Sequence, residues 1–113
     1  MTEVRALATN QPVSPRKARL VLEAIRGLPV GEALEVLGAL PQPSARIIRS
    51  VVRSAAANAE NNHALDPDGL RVKSAIAGDA TRLRRYKARS RGRVAPRITR
   101  LCHIEIVVEG EGY

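Results

Sequence analysis

Few residue types in this chain could carry chemistry. The single cysteine, Cys102, and one of the two histidines, His103, are neighbours. On a strand, adjacent side chains point to opposite faces, so neither a thiol–imidazole pair nor a metal pair follows. His63 stands in a polar Asn61-Asn62-His63 stretch, where a local hydrogen bond is the simpler role. Gly27, Gly31 and Gly38 have neither phosphate-loop nor dinucleotide-loop spacing. Without a paired acid and base, or a nucleophile beside a base, no enzyme is expected, and no cofactor or metal. A lone cysteine forms no internal disulfide, and a reducing compartment is its natural setting.

The chemistry that is present is cationic. Of 19 basic residues 16 are Arg, against 11 acidic residues, for a net charge of +8. Nine of them (Arg82, Arg84, Arg85, Lys87, Arg89, Arg91, Arg93, Arg97 and Arg100) fall between positions 82 and 100, where there is no acidic residue. The other 94 positions hold ten basic and eleven acidic residues, a net of −1. A disordered cationic tail is the ordinary reading of such a run. This one is internal, and the apolar series Ile98, Leu101, Ile104, Ile106, Val107, Val108 follows it, as in a strand returning to a folded body. Both faces of its first arm would be cationic, which suits a ribbon surrounded by phosphate. Arginine fits that role, because its planar fork pairs bidentately with phosphate and stacks on bases. Aromatics are only Tyr86 and Tyr113, so the stacking platforms of sequence-tolerant single-strand binders are missing.

A second cationic group is Arg16, Lys17 and Arg19, directly after Ser14-Pro15. Ser at an N-cap and Pro at the first helical position mark a helix start. Cations there oppose the helix dipole at roughly 0.3–1 kcal/mol each, and a bound phosphate would reverse the sign. Arg46, Arg49 and Arg53 recur three and four apart on a later helix, where a solvated stripe and a phosphate-contacting one fit equally well.

The elements that must position these groups are few, since 113 residues make about one domain. Of the 50 apolar residues 46 are Ala, Val, Leu or Ile, enough for an aliphatic core without Phe or Trp. No apolar run approaches the ~18–20 residues that cross a bilayer, and Met1-Thr2-Glu3-Val4-Arg5 lacks a signal-peptide layout. Alternation predicts a short edge strand over 4–9. Periodicity predicts helices from Pro15 to Arg26, stopped by Gly27, from Gly31 to Leu40, and from Ser44 to about Asn62. Asp66-Pro67-Asp68-Gly69 is a turn. Strands over 70–77 and 98–108 then form a hairpin with an apolar root and a basic tip. With the reversal centred at Arg91-Gly92, Arg82 falls opposite Leu101 and Ile76 opposite Val107. The expected fold is α+β: a small three-stranded antiparallel sheet packed with three helices, plus a long protruding basic β-hairpin. The globular body spans about 1–78 and 102–113, and the finger about 79–101.

Three stretches in this order resemble a known family, the bacterial-type large-ribosomal-subunit protein L-twenty-two. They are Ser14-Pro15-Arg16-Lys17-Ala18-Arg19-Leu20-Val21 with Ile25-Arg26-Gly27, then Ser54 to His63 with Leu65-Asp66-Pro67-Asp68, and the hairpin. The hairpin is the most specific, with Arg84, Arg89-Ser90-Arg91-Gly92-Arg93 and His103-Ile104-Glu105-Ile106-Val107-Val108 at the family's signature spacing. The resemblance implies a structural constituent of the large subunit that supports its assembly and translation in the cytoplasm. Its body would bind ribosomal RNA near the exit-tunnel opening through Arg16, Lys17 and Arg19, and its finger would do so through the basic residues from Arg82 to Arg100. The tip, Arg89, Ser90, Arg91, Gly92, Arg93, Val94 and Ala95, would line the polypeptide exit tunnel. Implied partners are ribosomal RNA, neighbouring ribosomal proteins and the nascent polypeptide, with no membrane and no homo-oligomer. The acidic tail Glu109-Gly110-Glu111-Gly112-Tyr113 is expected to be solvated. A free-standing DNA-architectural protein with basic β-arms is the alternative reading of the charge.

Overall fold

The computed structural model describes residues 2–88 and 94–112, with side chains over 2–79 and 101–112. Strand β1 (Thr2–Gln11) is followed by helices α1 (Pro15–Ile25), α2 (Val30–Ala39) and α3 (Pro43–His63). A 3-10 turn (Pro67–Gly69) and the long strands β2 (Arg71–Ala88) and β3 (Val94–Gly110) complete the order. The sheet is antiparallel with strand order β1-β3-β2, so β3 is central and β1 lies at one edge as predicted. This is the expected α+β fold.

The helix boundaries have local causes. Ser14 Oγ accepts from Lys17 N–H at 3.3 Å and Pro15 occupies the first turn of α1. Gly27, at φ +79°, turns the chain out of α1 and donates its N–H to Val72 O at 2.9 Å. Ala64 does the same for α3 without glycine, at φ +52°, so that Leu65 N–H reaches Ala59 O at 3.1 Å.

The helices cover one face of the sheet. Ala18, Leu22 and Ile25 of α1, Ala33 of α2 and Ile48, Val52 and Ala55 of α3 are fully enclosed against Val72, Ala75, Ile104, Ile106 and Val108. At about 25 cal/mol per Å² of apolar surface, each large aliphatic side chain so buried contributes roughly 1.5–3 kcal/mol. The opposite face carries Leu7 and Ile76, both paired to Glu105 on the central strand and both half exposed.

The register of the hairpin departs from the sequence expectation. Ile76 pairs with Glu105, not Val107, and Arg82 with Arg100, not Leu101. Two irregularities in β2, between Val72 and Ser74 and between Asp79 and Arg82, each place one extra residue on β2 relative to β3, so the offset grows toward the root. The first shifts the inward phase from Val72 to Ala75 and Ala77, all three buried.

The acidic tail is not solvated at its start. Glu109 is buried and its carboxylate pairs with Arg71, Glu111 O accepts from Asp66 N–H at 2.9 Å, and Gly112 bridges to Leu65. A Cβ on Gly110 would come within 2.8 Å of Leu70 Cδ2, so any other residue there requires the buried Leu70 side chain to shift. Charge alone hid this, because the pairing partner of Glu109 stands 38 positions earlier.

Candidate nucleic-acid interface

The interface has two parts, the start of α1 and the paired arms of β2 and β3. At the start of α1, Arg16 and Lys17 are exposed and the first turn contains no acidic residue. The dipole of α1 therefore meets cations at its positive end with no internal compensation. Arg19 is placed differently from its two neighbours. Its Nε and Nη2 donate to Ala77 O at 3.2 and 3.0 Å, which turns the guanidinium toward the sheet.

Arg26, which sequence reasoning did not single out, makes the same contact one step along. Its Nε and Nη2 donate to Ala75 O at 3.1 and 2.7 Å. Arg19 and Arg26 are seven apart, two helical turns, and so lie on one side of α1. That spacing is the signal in the sequence, though it does not say which carbonyls will be met. Together the two forks cap the outward carbonyls of β2, an edge strand that would otherwise present them unpaired. The α1–α2 connection completes the cover: Val72 N–H donates to Leu28 O at 2.9 Å, and Val30 N–H to Leu70 O at 3.0 Å. The root of the hairpin is thus fixed to the helical layer along its outer edge.

Beyond the root, the register sets Arg82 opposite Arg100 and Arg85 opposite Arg97, while Lys87 faces Ala95 and Arg84 faces Ile98. Like charges at directly opposed positions weaken strand pairing. Two such pairs lie along one ribbon, and the nearest acidic residue on it, Asp79, is at the root. A surrounding polyanion removes that penalty. Of the expected tip, Val94 and Ala95 pair with Ala88 and Lys87, while Arg89, Ser90, Arg91, Gly92 and Arg93 lie outside the described residues.

The thiol, imidazole and buried carboxylate nearest the ribbon root and sheet are engaged structurally. Cys102 is fully buried opposite Asp79, and desolvation pushes its thiol above the ordinary range, with Arg19 acting in the opposite sense. His103 points elsewhere, its Nδ1 accepting from Asn10 N–H at 3.1 Å. The side-chain hydrogen bond from Arg71 holds the Glu109 carboxyl below the usual carboxylate range.

A two-layer α+β body thus holds a cationic two-stranded ribbon by its root. Residues 6–109 match the family described as Ribosomal protein L22p/L17e. The chain is 46% identical over 107 residues to the large ribosomal subunit protein uL22 of Thermomicrobium roseum, covering 95% of this chain and 91% of that relative. The chain belongs to this family of ribosomal proteins, and its class is that of a structural protein of the large subunit.

Proposed function

We propose that the protein binds large-subunit ribosomal RNA, with the body as anchor and the ribbon as an RNA-embedded finger. The carrying observation is the pairing of Arg82 with Arg100 and Arg85 with Arg97 on a ribbon free of acidic residues beyond Asp79. Such a ribbon gains stability from phosphate on both sides. Arg16 and Lys17 extend the contact to the start of α1, and Arg19 contributes mainly by holding the root of the finger. On this reading Arg84, Lys87, Arg89, Arg91 and Arg93 also contact RNA. The tip from Arg89 to Ala95 then lines the polypeptide exit tunnel and meets the nascent chain, in a cytoplasmic ribosome and beside other large-subunit proteins.

The test is incorporation into large subunits and its response to salt. Removing one phosphate-binding side chain should reduce the log–log salt slope of RNA binding by about 0.7–0.9. Replacing Arg82, Arg85, Arg97 and Arg100 by Gln should weaken binding at every salt concentration and flatten that slope. A quadruple variant that joins large subunits and binds their RNA as the parent does, with the same slope, would refute the reading. Sedimentation with free DNA, and not with large subunits after a moderate salt wash, would favour the DNA-architectural alternative.

A further inference from the structure

Outside the finger and the start of α1, one cavity gathers cationic groups without an acidic neighbour. It lies where α2 turns into α3, has a volume of about 440 Å³, and is lined by Leu37, Leu40, Pro41, Gln42, Arg46 and Arg49. Among the described residues no carboxylate borders it. Arg46 is exposed, whereas Arg49 is partly buried, and its Nε is shut off from solvent without a hydrogen-bond partner. Among the described residues no hydrogen bond or ion pair engages Arg49, and with its Nε out of reach an acceptor in the cleft would meet the terminal nitrogens of the fork.

We propose that this cleft is a second RNA site of the body, in which Arg46 and Arg49 clamp one backbone phosphate and the Leu37–Leu40–Pro41 wall takes the adjoining sugar or base. The inference rests on the reading that the chain binds ribosomal RNA. Three features favour RNA over the carboxylate of a protein partner. Two guanidinium groups match the bidentate geometry of phosphate. The volume lies in the range of small-ligand sites and leaves room beside the anion for a nucleoside-sized group. The Gln42–Pro43 wall is also shared with the neighbouring cleft that Lys17 lines, so the site continues the cationic surface at the start of α1.

The experiment measures binding of the full chain to a large-subunit ribosomal RNA transcript across a salt series. R46Q/R49Q should weaken binding about 10-fold near physiological salt, as expected when a charge-assisted bidentate contact is removed. Its log–log salt slope should fall by about 0.7–0.9, one phosphate's worth. R46K/R49K should keep the slope and bind more weakly than the parent, because lysine supplies charge without the fork. R53Q removes an exposed charge from the same helix outside the cleft and should leave the slope unchanged. Thermal melts establish that each variant is folded. If R46Q/R49Q is not folded, R46K/R49K decides, and undiminished affinity in it overturns the proposal. Unchanged binding by a folded R46Q/R49Q, or equal weakening in R53Q, also overturns it. Unchanged RNA binding with impaired incorporation into subunits would assign the cleft to an acidic protein and equally refute the RNA site. Failure of the parent protein to bind the transcript would instead strike the function proposed above.

Discussion

The arginine forks on the edge of β2 yield a quantitative expectation. Replacing Arg19 and Arg26 by Ala removes four hydrogen bonds of 2.7–3.2 Å that converge on two carbonyls, Ala77 O and Ala75 O. Hydrogen bonds from charged donors are worth roughly 1.5–3 kcal/mol in protected settings. Both arginines are exposed here, and the freed carbonyls regain water, so about 1 kcal/mol per arginine is the reasoned figure, about 2 kcal/mol for the pair. For a chain of this length that corresponds to a fall of about 8 °C in Tm. Urea titration gives the free energy directly, with R53A as the control, because that exposed residue in the middle of α3 holds no such carbonyl. Hydrogen exchange should localise the effect. Since Ala75 and Ala77 turn their carbonyls outward, strand alternation turns the Ile76 and Gly78 amides toward β3, and these should exchange faster in R19A/R26A. A double variant within 0.3 kcal/mol of the control, a difference of roughly the size of neutral surface changes, would refute the clamp. Destabilisation above about 4 kcal/mol would show that the arginine stems serve as core.

Other consequences are simpler. Ala64→Gly should stabilise the chain by up to about 1 kcal/mol in urea titration, since a left-handed φ of +52° strains a residue with a Cβ. Glu109 is held ionised by Arg71, so its carboxylate stabilises the fold above the unfolded-state pKa of about 4.3, and that contribution disappears as pH falls through the lower folded value. R71Q should therefore be less stable at neutral pH and lose less than the parent on acidification, as read by denaturation at pH 7 and pH 3. Excising Lys87 to Val94 should leave the two-layer body folded with its thermal transition retained, because every buried core residue among those described lies outside that span. Ile48→Ala, which empties a fully enclosed position, should cost roughly 2–5 kcal/mol in the same assay.

The helices were legible in the sequence through their periodicity, and two of them also through the residues at their starts. Ser14-Pro15 and Pro43 fix two of them, and the apolar stripes through Leu22 and Ile48 point to the sheet as their spacing requires. The strands were legible in kind, and the long basic hairpin in outline: β2 and β3 extend through the basic segment as the expected finger requires, although no apolar alternation reports them there. Register was not legible, because the irregularity at Lys73 has no glycine or proline to mark it and Gly78, before the second, does not say that an extra residue follows. The candidate site divides in the same way. A cationic run is visible by counting, but the attachment of Arg19 and Arg26 to backbone carbonyls depends on which edge of the sheet α1 lies against. The orphaned Arg49 Nε is a property of packing, since Arg46, Arg49 and Arg53 look alike in sequence, and of the two that line the α2–α3 corner only Arg49 is partly buried.

The two extra residues in β2 make the finger a lever whose aim is set at its base. Both lie on the same rail of the ribbon, so the two rails differ in length, as on a curved track, and the ribbon must coil toward the shorter one. From Arg82 to Ala88 the described arm advances about 20 Å at ~3.3 Å per residue, and a change of about 10° in direction at Asp79–Arg82 would carry its far end some ~3.5 Å sideways. Deleting Thr81 would remove the second extra residue, leave Arg82 opposite Arg100 and straighten the ribbon where it leaves the body, without touching the core. The surface that the finger shows to its surroundings is thus written as much in the residues where it leaves the body as in those at its end.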